Sequence, residues 1–600
     1  MRKIICQFVL INFLLILNVY SQPVYNLNEE IVVTASRINQ EYKDLLRNVT
    51  VIDKHTIQNF PSNSLGDILN AQIGMDIGQR GYHGIQGDIS ARGSSFEQVL
   101  IMIDGVKLND TQTGHHNLDL PINLIDIERI EIMQGHGSSL YGPGAFGGVV
   151  NIITKDAGKS PFKISASAGD FGLANYELHK SIGLKNIKNL ITINTSKSTG
   201  YRYASDFKKL TIYNKSQIDS KYGKFSLSLG YLDNDFGANN FYGQSPSKEY
   251  TKTFLTSLNG EITRFENVTL ESKIYFRNHR DRFIYDIRKP EAFINNHETN
   301  KVGGELVSKF DLSSNQKVII GTELSEDNIT SNKLGNHQII RSSLFGEYGN
   351  TLREKILLNF GIRGDYQSNY SLSWYPTLSV GFRVSEQFKL RSSIGKSFRT
   401  PSFTELYYYD PSNRGNPYLK PERGWSYETG YDYFLRDNFL LQSNLFVRRQ
   451  SEMIDWISGD AGKHWQAKNI GKVTIGGIEN QLKFSFDKHK IIYLKYAYTT
   501  HDFEKEYNYF SRYVFRYPVH KFSLETNVRA PFGIDNYFIF EVKKRREEKS
   551  YLVLDANFSK DIHKIICFAR IMNIFSERYQ EILGVPAPGR WFEIGIRFEI

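Results

Sequence analysis

The sequence predicts an all-β membrane protein, a transmembrane antiparallel β-barrel of about 22 strands with an N-terminal mixed α/β plug domain in the lumen. Three observations predict it. The composition is rich in strand and turn formers, with 40 Phe, 36 Tyr and 47 Gly against only 6 Met, a balance that favours pleated structure over helices. From Pro161 to Ile600 many stretches alternate apolar and polar residues with period two, which puts an oily face opposite a wet one. After the N-terminal segment no run of apolar residues is long enough for a transmembrane helix, so any membrane span must be built from strands.

The N-terminal segment itself is a secretory signal over residues 1–21. Arg2 and Lys3 precede an apolar stretch from Ile4 to Val19, and small or polar residues follow near Ser21. The stretch falls short of the ~20 residues that span a bilayer and has no basic stop behind it. Cys6 leaves with the signal, so Cys567 stays alone in the mature chain and no internal disulfide is expected. The net charge of +10 is scattered between aromatic strands rather than gathered into a stripe, which argues against nucleic acid and for basic loops facing an anionic lipid surface.

Within ILLNFGIRGDY, residues Ile356, Leu358, Phe360, Ile362 and Tyr366 share one face, while Asn359, Arg363 and Asp365 share the other. Leu378, Val380, Phe382 and Val384 repeat the pattern, as do Phe388, Leu390 and Ile394 beyond the turn SEQ; at the C-terminus Phe592, Ile594, Ile596, Phe598 and Ile600 oppose Glu593, Arg597 and Glu599. A soluble sandwich also alternates but rarely over so long a stretch, and in lipid such a sheet must close to satisfy its edges. Counting back from a periplasmic C-terminus, Ser576 to Gly589 lies outside, Lys560 to Lys564 is a periplasmic turn, KKRREEK from Lys543 lies outside facing lipopolysaccharide, and Thr400 to Gly424 is a long outer loop. The predicted organisation is a signal over 1–21, a periplasmic N-terminal segment over 22–39, a plug over 40–155 and the barrel over 156–600. The plug reading rests on VTVIDKHTI, DILNAQIGMDI, VLIMIDGVKL, IERIEIMQG and GGVVNIITK, short strands or helices separated by Gly-rich turns.

GPGAFG, from Gly142 to Gly147, carries three spaced glycines but is followed by the strand-like VVNIIT and not by a helix, so neither a dinucleotide nor a phosphate-loop site is expected. No nucleophile and base pattern stands out, so the protein is expected not to be an enzyme and to use no cofactor.

The ordered set EEIVVTASR, MDIGQRG, ISARGSSFEQVLIMIDGVKLND, IERIEIMQG, SSLYGPGAFGGVVNIIT, SFRTPSFTELY, RGNPYLKPE, WSYETGYDY and NIGKVTIGGIE resembles the TonB-dependent outer-membrane receptors over nearly the whole mature chain. Departures from the family pattern are Ala91 before Arg92-Gly93, where a β-branched residue is usual, His136 after Gly135, where Pro often stands, and Ile600 at an end that is commonly aromatic. The resemblance implies energy-coupled uptake of a scarce large solute in the outer membrane of a Gram-negative bacterium, driven by the TonB-ExbB-ExbD complex of the inner membrane. Glu30, Ile31, Val32, Val33, Thr34 and Ala35 would be the TonB box, whose β-branched residues favour an extended strand that adds to a partner's sheet edge.

By the same resemblance Arg92 and Arg129 would meet Glu428 and Glu479 as a latch between plug and barrel, the alternative being charges that face luminal water. The plug apex (Arg80, Tyr82, His83, Asn109, Thr113, His115, His116 and Asn117) would read the ligand together with Phe241, Tyr242, Tyr408 and Asn413 of the outer loops. Adjacent histidines on a loop are more often solvated donors than metal ligands; Asp233 and Asp235 are candidates for a structural calcium. VVTASR, IDGVKLN, GAFGGVVNIIT and the APGR near the end look most like the cobalamin-receptor branch, which ranks cobalamin or a related corrinoid first, a ferric siderophore second and haem third. A surface lipoprotein over the outer loops is a further candidate partner, and a passive porin or surface adhesin is the rival class.

Overall fold

The computed structural model describes residue 37 and residues 40–600, apart from 159–160, 436–437, 460–462, 488–489, 504–508 and 514–515. The expected signal segment and all six residues of the expected TonB box, Glu30 to Ala35, lie outside the described residues.

Twenty-two strands form one closed sheet. Neighbours run antiparallel, and the last strand, Trp591–Glu599, pairs with the first, Lys163–Gly169, with Ile594 opposite Ala168. Closure leaves no open backbone edge to face hydrocarbon. The period-two pattern sorts side chains as the sequence demands: Phe360 and Ile362 are exposed on the outer wall, while Arg363 and Asp365 of the same strand, Ile356–Gln367, are buried against the lumen at 2% and 7%. The turn at Ser385 to Gln387 joins Tyr370–Arg383 to Phe388–Arg399, and the latter is followed by the outer loop that ends at Glu422–Leu435.

Strand alternation corrects one expectation about the basic cluster. Lys543 and Arg545 belong to the strand Ile534–Arg545 and point inward. Lys543 Nζ lies 3.1 Å from both Glu541 and Glu581, and Arg545 donates two hydrogen bonds of 2.9 Å to the plug residue Asp76. Two of the five basic residues of KKRREEK therefore serve the interior and not the lipopolysaccharide. Asp233 and Asp235 are likewise spent: they lie on the partly exposed face of Gly223–Gly237, 3.0 Å from Lys252 and 2.7 Å from Lys248 respectively. A carboxylate already neutralised by lysine is a poor calcium ligand, so the calcium reading of this pair is not carried forward.

The plug is built around a five-stranded sheet in the order Val49–Asp53, Ile127–Gln134, Gly148–Thr154, Val99–Ile103 and Val106–Lys107. Only the pairing of Val99–Ile103 with Gly148–Thr154 is parallel. The helix Lys54–Asn59 starts at Asp53, whose carboxylate accepts from Thr56 N at 2.8 Å, an N-cap that satisfies one of the otherwise free amides of the first turn. Ile68, Leu69, Ile101, Ile130, Val150 and Ile152 bury the sheet and the helix Leu65–Asn70 in a common core, which Leu255, Tyr275, Tyr537 and Ile539 of the barrel wall complete. GPGAFG forms the turn between the short helix Ser138–Tyr141 and the strand Gly148–Thr154.

The outer wall generates a direct test. Leu344 sits mid-strand in Gly335–Leu352 and is exposed at 59%, while its neighbours Ser343 and Phe345 are buried. Leu344→Arg should cost about 2–4 kcal/mol of barrel stability in lipid, read by denaturant unfolding in vesicles, whereas Leu344→Ala should cost much less.

Candidate functional site: plug apex and plug–barrel latch

Arg92 follows the hairpin formed by Met75–Gly81 and Gln86–Ala91 and adopts a left-handed backbone (φ 50°) while its amide donates to Gly74 O at 2.7 Å. The turn aims its guanidinium at the barrel wall. Nε and Nη2 donate to Glu479 at 2.9 and 2.6 Å, and Nη1 lies 3.1 Å from Glu428. Gly74 and Gly135 make the room: both have positive φ, and a Cβ at either would overlap the carboxylates of Glu479 and Glu428 respectively. Burial disfavours the charge on Arg92, but the two glutamates outweigh it and hold the guanidinium firmly protonated. Arg129 does not share this role; it donates to Glu131 on its own strand at 2.7 Å, because period two puts both residues on one face. His136, where the family more often has Pro, lies 2.7 Å from Arg47 and packs against Gly395.

Further plug–wall pairs escaped the sequence reading. Besides Arg545–Asp76, Arg277 reaches Asp110 at 2.7 Å, Lys107 donates to Glu323 at 2.7 Å, and Gln98 donates to Glu422 at 2.6 Å. All lie on inward faces of strands or at plug turns, and inward charge is the only signal the sequence offers for them; which partner each meets depends on docking. Arg37, two residues after the expected TonB box, is also buried: it lies 2.7 Å from Glu305, donates to Leu140 O at 3.1 Å and sits over the rings of Tyr141 and Phe345.

At the apex, Arg80 donates to Asp88 at 2.9 and 3.2 Å and to Phe241 O, and stacks over Tyr242. His115 lies 2.7 Å from the other oxygen of Asp88 and stacks on Phe96 with centroids 4.3 Å apart. Although burial favours its neutral form, Arg80 and His115 hold the Asp88 carboxyl well below the usual carboxylate range. Tyr82 packs edge-on to Tyr201, and Thr113 caps the turn Gly114–His116. Tyr513, not anticipated, joins Phe96 and His115. A cavity beside this cluster is lined by His83, Gln86, Leu118, Phe207, Trp591 and Glu593.

Two of the residues expected to meet the ligand also hold turns of the plug together. Asn109 accepts from Ile101 N and donates to Val99 O, each at 2.8 Å, and Asn117 accepts from Asp110 N at 3.1 Å and donates to Phe96 O at 3.2 Å. Both amides replace missing backbone partners in turns. Tyr408 and Asn413 sit in the outer loop, where Tyr408 accepts from Asn295 at 3.3 Å and Asn413 from Arg512 at 2.7 Å. That loop docks on the plug through the helix Phe403–Tyr407, whose first amides donate to Thr111 O and Gln112 O at 2.9 and 3.0 Å.

These contacts make two outcomes measurable. Arg92→Ala leaves two buried carboxylates without their cation and should destabilise plug docking by about 3–5 kcal/mol, with Glu479→Gln intermediate, read as faster hydrogen exchange in 74–93. His83 is packed against Trp591 and Phe207, and burial pushes its imidazole down to about 4 from 6.5. The neutral form is the packed one, so its contribution, about 3 kcal/mol at most, is full above pH 6.5 and lost as pH falls towards 4; exchange at Tyr82 to Gln86, corrected for intrinsic rates, should rise on acidification in the wild type and not in His83→Phe.

Comparison with known proteins places this geometry. Residues 155–573 match the family model described as TonB dependent receptor-like, beta-barrel, and residues 41–149 match the TonB-dependent Receptor Plug Domain. The chain is 26% identical over 487 residues to the vitamin B12 transporter BtuB of Photobacterium profundum, covering 75% of each, and 26% identical to that of Vibrio vulnificus (strain YJ016), covering 76% of each. Among solved structures, the copper transporter OprC superposes with a TM-score of 0.79 at 16% identity over 92% of this chain and 99% of that one. The siderophore receptor PirA from Pseudomonas aeruginosa gives 0.73 at 17% over 92% and 99%. At those identities the superpositions speak for the fold alone. With a family model spanning most of a closed 22-strand barrel and a second spanning the plug inside it, this chain belongs to the TonB-dependent receptors of the Gram-negative outer membrane.

Proposed function

We propose that this receptor takes up cobalamin or a related corrinoid and that the TonB-ExbB-ExbD complex drives the step by pulling on residues 30–35. The observation that carries the substrate is the likeness to vitamin B12 transporters over three quarters of both chains. The apex supports it with aromatic rings and polar groups side by side, including Tyr242, whose hydroxyl accepts from Gln86 at 2.8 Å, a mixture suited to a large ligand with apolar faces and amide edges. A ferric siderophore stands second, on the fold shared with siderophore receptors, and haem third. A lumen filled by a plug on buried ion pairs argues against a passive porin.

The plug is arranged to yield to such a pull. Behind the box comes Arg37 on Glu305, then Val49–Asp53, an edge strand of the plug sheet paired with one neighbour among the described residues. An edge strand can peel away without breaking another pairing, so force arriving there opens the plug from one side before it reaches Arg92.

Titration of purified receptor with cyanocobalamin, a ferric catecholate and haemin should give cobalamin the tightest binding; a ferric chelate or haemin that binds tenfold more tightly would overturn the substrate. Val33→Pro removes a backbone donor and fixes φ in the box, so uptake by cells should be abolished while binding stays unchanged. Normal uptake by that variant would count against the pulling step.

A further inference from the structure

The plug turn that carries His116 and Asp119 lies against the extracellular end of the strand Val268–Ile284, which carries His279. A hydrogen bond from Asp119 N to His116 O, 3.1 Å, puts both side chains on one side of the turn. His116 Nδ1 is 3.4 Å from Asp119 Oδ2, and His279 Nε2 is 4.0 Å from the same oxygen. Each residue is at least 96% buried, and none of these three atoms has a hydrogen-bond partner among the described residues. The separations are long for hydrogen bonds. The shorter one matches donors sharing one ion, since ligands at ~2.0–2.1 Å in tetrahedral array stand about 3.3 Å apart, and all three donor atoms lie within 4.8 Å of one another.

The far side of the His279 imidazole is furnished as that of a metal ligand usually is. His279 Nδ1 is 2.9 Å from Thr253 Oγ1, and His116 Nε2 faces Asp281 at 3.6 Å and Glu249 at 3.8 Å. Three buried carboxyl groups, Asp119, Glu249 and Asp281, thus lie around the two imidazoles, with Asp281 also accepting from Gln112 at 3.2 Å.

We propose that His116, Asp119 and His279 bind one divalent transition-metal ion of the zinc class, which clips the plug apex to the barrel wall. Two nitrogen donors and one oxygen select against calcium and magnesium, which take oxygen ligands, and leave a fourth position for water or a ligand group. The site is independent of the identity of the transported solute: it joins plug to wall whether the cargo is a corrinoid or an iron chelate.

The test uses the full-length, tag-free receptor in detergent, stripped with a chelator and titrated calorimetrically with zinc sulfate, with calcium chloride as the contrast. One equivalent of zinc should bind, with little response to calcium, and His279→Gln and Asp119→Asn should each weaken binding at least tenfold. X-ray absorption of the zinc-loaded protein should show imidazole nitrogens in the first shell. Circular dichroism checks that both variants keep the β-barrel, and the absorption measurement needs only the wild type, so a misfolded variant does not shield the proposal. No stoichiometric zinc binding by the wild type, equal affinity in both folded variants, or an all-oxygen shell would overturn it, and none of these results depends on the cobalamin titration.

Discussion

In hydrocarbon an unpaired backbone amide or carbonyl costs several kcal/mol, and that constraint shapes everything else in this receptor. A sheet that must leave no edge closes on itself, here when Trp591–Glu599 meets Lys163–Gly169. Closure with 22 strands leaves a lumen wide enough for a folded domain. Period-two alternation, which makes the outer face oily, makes the inner face polar, so whatever fills the lumen must be held by charge and hydrogen bonding more than by apolar contact.

The plug is accordingly held by a distributed set of buried pairs: Arg92 with Glu428 and Glu479, Asp76 with Arg545, Asp110 with Arg277, Lys107 with Glu323. Buried ion pairs are well suited to a part that must leave and return. Each is weak evidence for net stability because of its desolvation cost, yet each is costly to break one side at a time. A plug fastened this way stays seated against thermal motion, and the proposed pull would act on it through one edge strand. The apex adds a second fastening, where the helix Phe403–Tyr407 donates backbone hydrogen bonds to the plug.

The pairing of Arg92 with Glu428 and Glu479 was expected from the family resemblance alone, through the segments ARG, YETG and GGIE, and the structure brings these three residues together. Arg129 was misread, since Glu131 two residues on shares its face of the same strand. Asn109 and Asn117 looked like ligand contacts because apical polar residues often are; both amides also complete the hydrogen bonding of turns. Lys543 and Arg545 looked like surface charge because a basic run reads as solvated, but alternation within the strand turns them inward.

What the sequence by itself determined is everything that depends on local periodicity and short-range chemistry: strand placement, the oily and wet faces, the order of inner turns and outer loops, and the division between a mixed N-terminal unit and a barrel. What only the tertiary structure decided is which inward charge meets which, that Phe96 and Tyr513 enclose His115, and that His116, Asp119 and His279 converge. These partners are separated by up to several hundred residues and come from two separately patterned units. Their meeting is set by how the plug rotates and sits in the barrel, and no local pattern encodes that.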